Sequence, residues 1–346
     1  MQSEHHKPIV AWLLSVCALI FFMVVLGGVT RLTESGLSMV NWHPVTGWLP
    51  PLDQMAWEQV FADYRQTPEY RKVNAGMTVE DFKSIFWLEY LHRLLGRVVG
   101  IAFFVPMVVF AAKGWIRGAL LGKVVGLFIL GGLQGVLGWY MVKSGLIDRP
   151  DVSQYRLAAH LGLALVILAA TLWVALGLMR PIPAQPPAGG DVNRGLRRAS
   201  WVLLGLISVT IISGAFVAGL DAGHIYNTFP LMDGQLIPEG LSDLSPPWLN
   251  VFENIMTVQF DHRVLAISVL ISVAIFWWRT TGAGLTDSQR LATRLLMAVC
   301  AVQVGLGIST LVMVVPVPLA ALHQAGAVIL LVVAIWLVHE LRPAQV

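Results

Sequence analysis

Of the nine histidines in the chain, four (His92, His160, His262 and His323) fall inside long apolar stretches at matching places. A neutral imidazole is a good ligand for iron or zinc. Burying an ionisable side chain in an apolar helix costs roughly 2.5–3.5 kcal/mol on insertion scales, and such residues face bundle interiors. A single one is as readily satisfied by a neighbouring backbone carbonyl. Four at equivalent places, two in each half, point elsewhere: two imidazoles from facing helices hold one heme iron between them. Structural zinc calls for four ligands, whereas each half offers two such histidines and no thiolate. His5, His6 and His339 lie near the inner helix ends and read as solvated or interfacial. His43 and His224 lie in outer loops, face Phe229 and Ser38 across the repeat described below, and read as surface residues.

Charged neighbours extend the chemistry. Arg93 and Arg263 directly follow two of the histidines, and Arg97 lies one turn further on. A buried guanidinium needs an anion, and bidentate contacts suit heme propionates. Snorkelling to lipid headgroups is the alternative, open above all for Arg97. Glu89 precedes His92 by three residues and shares its helix face; the matching residue before His262 is Gln259. A carboxylate can move protons or stabilise a developing cation, and an amide cannot. The N-terminal half is therefore expected to do chemistry and the C-terminal half to hold a permanent, electron-transferring heme. Spacing alone leaves open that Glu89 simply pairs with Arg93.

The elements that must position these residues are membrane helices. Mean hydropathy is +0.71, and the chain is 56% hydrophobic and 12% charged, too little charge to cover a soluble fold. Eight runs are long and apolar enough to span a bilayer, at about 9–29, 85–111, 120–142, 155–179, 200–220, 257–278, 293–315 and 318–340. With the N-terminus inside, Lys7, Lys113, Arg117, Lys123, Arg180, Arg194, Arg197, Arg198, Arg279, Arg290, Arg294 and Arg342 all fall on inner segments. The outer loop 221–256 carries no Lys or Arg, and loop 144–154 carries only Arg149. Both termini are thus expected to be cytoplasmic, and the basic balance reads as topology rather than nucleic-acid binding. The run 9–29 is too long for a signal-peptide core and reads as an uncleaved first span. No Arg/Ser-rich transit sequence precedes it, which favours a bacterial plasma membrane. Cys17 and Cys300 lie within apolar runs without a CxxC or CxxCH pattern, and read as small buried hydrophobes. In the long first outer loop, about 30–84, the stretch 53–83 reads as short amphipathic helices, and Trp42, Trp48 and Trp57 suit the interface.

The halves repeat. Gly28, Asn41 and Pro44 recur as Gly214, Asn227 and Pro230, and LEYLHRLLG (88–96) returns as VQFDHRVLA (258–266). Gln134 and Gly138 match Gln303 and Gly307, and LAAHLGLALVIL (157–168) returns as AALHQAGAVILL (320–331). The expected fold is an all-α membrane protein of eight transmembrane helices in two pseudo-symmetric four-helix bundles, related by an axis along the membrane normal. The N-terminal half spans 1–180, a flexible cytoplasmic linker 181–199 (PIPAQPPAGGDVN at 181–193), and the C-terminal half 200–346. Each histidine pair should lie near the periplasmic face, roughly 5–12 Å inside a helix end.

The ordered set of ExxHR at Glu89–Arg93, His160, FDHR at Phe260–Arg263 and His323 resembles the heme A synthase family. The opening GGVTRLTESGLSMVNWHPVTGWLPP (27–51) resembles that family's first-loop signature, including Arg31, Gly36 and Pro44. The resemblance covers essentially the whole chain. It implies oxidation of the C8 methyl of heme O to a formyl group, through two hydroxylations and loss of water, giving heme A for terminal oxidases. Heme O would sit near His92 and His160, with Arg93 close by and Glu89 assisting. Heme B would sit between His262 and His323 and relay electrons. Arg263 and Arg97, each in its own half, are propionate candidates. Many members carry a cysteine pair in an outer loop; this chain has none there and fits a cysteine-free, long-first-loop branch. The farnesyl tail of heme O suits lipid-facing clefts between Gly-rich helices such as Gly131–Gly138. Transient docking with heme O synthase is a reasonable expectation for so insoluble a substrate, while the electron donor, the oxygen source and assembly into a homo-oligomer stay open. Two-histidine ligation leaves iron no vacant position, so either one histidine dissociates or oxidation occurs at the porphyrin edge. A b-type diheme electron carrier and a heme transporter or chaperone are the competing readings of the same histidines.

Overall fold

Leucine-, valine- and alanine-rich runs with few breakers form long helices wherever the chain supplies a start signal. The computed structural model describes residues 5–42, 46–146, 152–179 and 192–342. Among these the long helices are α1 (His6–Leu32), α4 (Val79–Ala112), α5 (Gly118–Gly145), α6 (Gln154–Met179), α7 (Val192–Gly219), α9 (Ile255–Thr280), α10 (Asp287–Val312) and α11 (Val317–Glu340). All eight are long and apolar enough to cross a membrane, as the hydropathy runs predict. Short helices α2 (Gln54–Tyr64) and α3 (Pro68–Lys72) occupy the first outer loop, and α8 (Asn250–Glu253) precedes α9.

Two compact units make up the chain: Ala11–Leu168, and Met1–Val10 with Ala169–Val346. Residues 192–199, read from sequence as linker, form the first turns of α7. Most of the Pro-rich stretch 181–193 lies outside the described residues, as do His43 and Pro44.

In the first unit α4 begins at Val79, six residues before the hydropathy run. Thr78 and Asp81 form a reciprocal capping box there, each side chain bonding the other's backbone N–H. His92 is therefore thirteen residues, about 20 Å, along its helix, whereas the other three histidines lie six or seven residues in. The extra turns carry Phe82, Phe86 and Tyr90 into a cluster with Trp57 and Tyr64 of α2. Tyr64 and Phe82 are fully buried, so the long loop is a folded cap with its own aromatic core. Replacing Thr78 by alanine should cost about 1 kcal/mol, read as a lower melting temperature of the detergent-solubilised protein. An unchanged melting temperature would mean that the aromatic cluster alone fixes this helix start.

Candidate metal centres

Each of the four histidines packs against a glycine on a neighbouring helix of its own unit. A Cβ added at Gly138 of α5 would lie 2.9 Å from Cε1 of His160, and one at Gly307 of α10 would lie 2.8 Å from Cε1 of His323. One at Gly27 of α1 would lie 3.0 Å from Nε2 of His92, and one at Gly214 of α7 would lie 3.1 Å from Cε1 of His262. Any larger residue would push the imidazole aside. His92 and His160 lie within range of mutual electrostatic influence, and so do His262 and His323. The structure thus brings together, within each unit, the two histidines that sequence paired.

The glutamines matched by the repeat have the same task. Gln134 donates to the His160 backbone carbonyl at 3.0 Å, with its amide nitrogen 3.2 Å from Nδ1. Gln303 does likewise to His323, at 2.9 and 3.0 Å. In both, the amide Oε1 is buried and without a hydrogen-bond partner. In the register of the repeat, which matches Gly28 with Gly214, Gly27 stands where Ser213 does. Ser213, the residue before Gly214, places its hydroxyl 2.8 Å from Nδ1 of His262. That residue was missed in the sequence; comparing the residues before the matched glycines (Gly27 against Ser213) is the signal that finds it.

Glu89 and Arg93 sit otherwise than a propionate clamp requires. Glu89 is 2% exposed and pairs with Arg93, Oε1 to Nη2 at 2.6 Å. Its Oε2 accepts from the Ser38 hydroxyl and the Met39 N–H, both at 2.7 Å. Arg93 donates onward to the carbonyls of Met39 at 2.7 Å and Asn41 at 3.0 Å. The pair staples the chain after α1 to α4. In the second unit Gln259 donates to the carbonyls of Ala222 and Ile225 at 2.6 and 2.5 Å. Its Oε1 accepts from Arg263, which also reaches the carbonyls of Tyr226 and Thr228. The same staple is therefore built with opposite polarity: a carboxylate gathers loop donors, an amide gathers loop carbonyls. Arg263 keeps one buried donor, Nε, without a partner. Arg97 stacks over Trp48, 5.8 Å from the ring centroid, and Trp48 in turn accepts from the Tyr90 hydroxyl at 2.7 Å.

His339 departs from its reading as solvated. It is 2% exposed, edge-on to Trp173, with Arg342 Nη2 at 3.1 Å from its Nδ1. His224 is exposed, as a loop residue should be.

These surroundings fit heme iron. Two imidazoles per unit supply an axial pair. The missing glycine side chains give each ring room beside its helix. The Nδ1–H of an iron-bound imidazole needs an acceptor, which the Gln134 and Gln303 amides, whose oxygens are unpartnered, would supply by turning Oε1 to the ring.

Comparison with known proteins agrees with this geometry. The family model for cytochrome oxidase assembly protein (COX15-CtaA) matches residues 10–335. A heme A synthase of Nitrosospira multiformis is 55% identical over 97% of this chain and 94% of its own length. One from Nitrosomonas eutropha is 51% identical over 98% and 95%. The human heme A synthase COX15 is 48% identical over 96% of this chain and 82% of its own length.

Proposed function

The chain belongs to the cytochrome oxidase assembly family, COX15-CtaA, and from that premise we propose that it is a membrane oxidoreductase converting heme O to heme A. The observation that carries the reading is near-full-length identity of about half to heme A synthases, in a chain whose four half-buried histidines fall two to each unit. The methyl-to-formyl oxidation is placed in the first unit, with heme O between His92 and His160. A permanent heme B is placed between His262 and His323, where it supplies one-electron transfer. Both sites are placed near the periplasmic side of a bacterial plasma membrane, with cytoplasmic termini, on the Lys/Arg distribution. Handover of heme O from heme O synthase belongs to the same reading.

The chain's own residues then have distinct tasks. Gln134 and Gly138 set the His160 ring, and Gln303 and Gly307 set that of His323. Glu89 holds a negative charge three residues from His92, while its pairing with Arg93 keeps the outer loop closed. A carboxylate at that place stabilises a developing cation electrostatically. Arg263 Nε is the donor best able to reach a propionate.

Pigment extraction tests the proposal. Co-expressed with heme O synthase in a host that makes no heme A, the chain should yield heme A or its hydroxylated precursor. Heme B alone would favour an electron carrier and overturn the enzymatic reading. His262→Ala with His323→Ala should abolish the heme B spectrum; its survival would reverse the two halves.

A further inference from the structure

Three of the four imidazoles are held by a side chain on a neighbouring helix: His160 by Gln134, His323 by Gln303 and His262 by Ser213. Among the described residues, the ring of His92 has no such partner. The difference traces to one position. The repeat matches Gly28 with Gly214, so Gly27, which packs against His92, stands where Ser213 touches His262.

The Ser213 hydroxyl does more than touch the ring. It has a single proton, which it donates to the Thr210 carbonyl at 2.8 Å. Towards His262 the oxygen is then an acceptor, so Nδ1, at 2.8 Å, carries the hydrogen. Nε2 keeps its lone pair, which is the form that binds iron. Gly27, with no side chain, can do none of this. Instead the Nε2–Cδ2 edge of His92 lies against Gly27 itself.

We propose that Ser213 is a positioning residue that locks His262 as a permanent axial ligand, and that His92, lacking this support, is the ligand that leaves the substrate's iron. His160, held by Gln134, would keep the substrate's iron while the His92 ring is free to turn away. This rests on the placement of heme O in the first unit and heme B in the second. It removes the conflict between two-histidine ligation and the need for a vacant coordination position, and it says which histidine yields.

Carbon monoxide, which needs a vacant site on reduced iron, reads this without reference to turnover. Purified full-length protein holding heme B alone should show almost no CO difference spectrum. Adding heme O should create one CO-reactive heme. Ser213→Ala should make the heme B site bind CO about 10-fold more tightly, and Ser213→Thr, which keeps the hydroxyl, should return it to inertness. Gly27→Ser should weaken CO binding at the heme O site by about the same factor. A CO-inert Ser213→Ala protein, or unchanged CO affinity in Gly27→Ser, would overturn the proposal. The placement of the hemes is judged separately: loss of the as-purified heme in His92→Ala, with retention in His262→Ala, would reverse the halves whatever the CO titrations show.

Discussion

Replacing Gly307 by leucine is expected to strip the second unit of its retained heme while leaving the helices intact. The smallest side-chain atom at that position already lies 2.8 Å from Cε1 of His323, closer than two carbons can rest. The imidazole must swing away, and Gln303, bonded to its Nδ1 and its backbone carbonyl, loses its hold on the ring. Heme affinity should fall about 10- to 100-fold, the usual cost of disturbing the support of a ligand. The helix itself gains, because leucine is the better helix former by up to about 1 kcal/mol. Gly305→Leu on the same helix is the control: an added Cβ there meets nothing within 4 Å, and heme content should not change. Gly138→Leu should repeat the effect in the first unit, lowering heme O binding and sparing the retained heme. Pyridine-extracted heme per mole of protein measures all three. Full heme content in Gly307→Leu would mean that His323 is not a ligand.

The histidines, glutamines and outer glycines were legible because a membrane helix has few polar residues, so a repeated one stands out against an apolar background. Gln134 and Gln303 are such residues, and the contacts they make repeat as the sequence does. Ser213 was hidden because its counterpart in the repeat, Gly27, has no side chain, so no repeated polar residue marks the place. The start of α4 was hidden because residues 79–84, EDFKS among them, are polar on one side and pack Phe82 on the other; a capping box, not hydropathy, marks the boundary. The partners of the arginines were hidden for a different reason. Buried guanidinium groups do find oxygen partners, but the partners are backbone carbonyls of the loop after α1 or α7, which no side-chain pattern encodes. The burial of His339 depends likewise on Trp173, far away in sequence.

Glu89→Ala and Arg93→Ala are each expected to cut heme A formation severely, and the double variant should be little worse than either. The two side chains are 3% and 12% exposed and bonded at 2.6 Å. Removing one partner of such a buried pair costs about 3–5 kcal/mol, because the other is left charged and unpaired. Once the pair is broken, Met39 and Asn41 lose their donors, and removing the second partner takes away little more. That non-additivity is the signature of a unit. If Glu89 instead acts on the substrate independently of the loop, Glu89→Ala will lower kcat far below Arg93→Ala, and the double variant will show the two losses multiplied. Glu89→Gln copies the residue of the second unit yet should not restore function. Its amide hydrogens would meet the Met39 N–H or the Arg93 guanidinium, donor against donor, whereas Gln259 succeeds because it faces the carbonyls of Ala222 and Ile225. The reverse change, Gln259→Glu, sets a carboxylate against those same oxygens in a site only 2% exposed and should lower the melting temperature. Each unit therefore fixes its loop with the one residue its loop's polarity permits, and in the first unit that residue has to carry a charge beside His92.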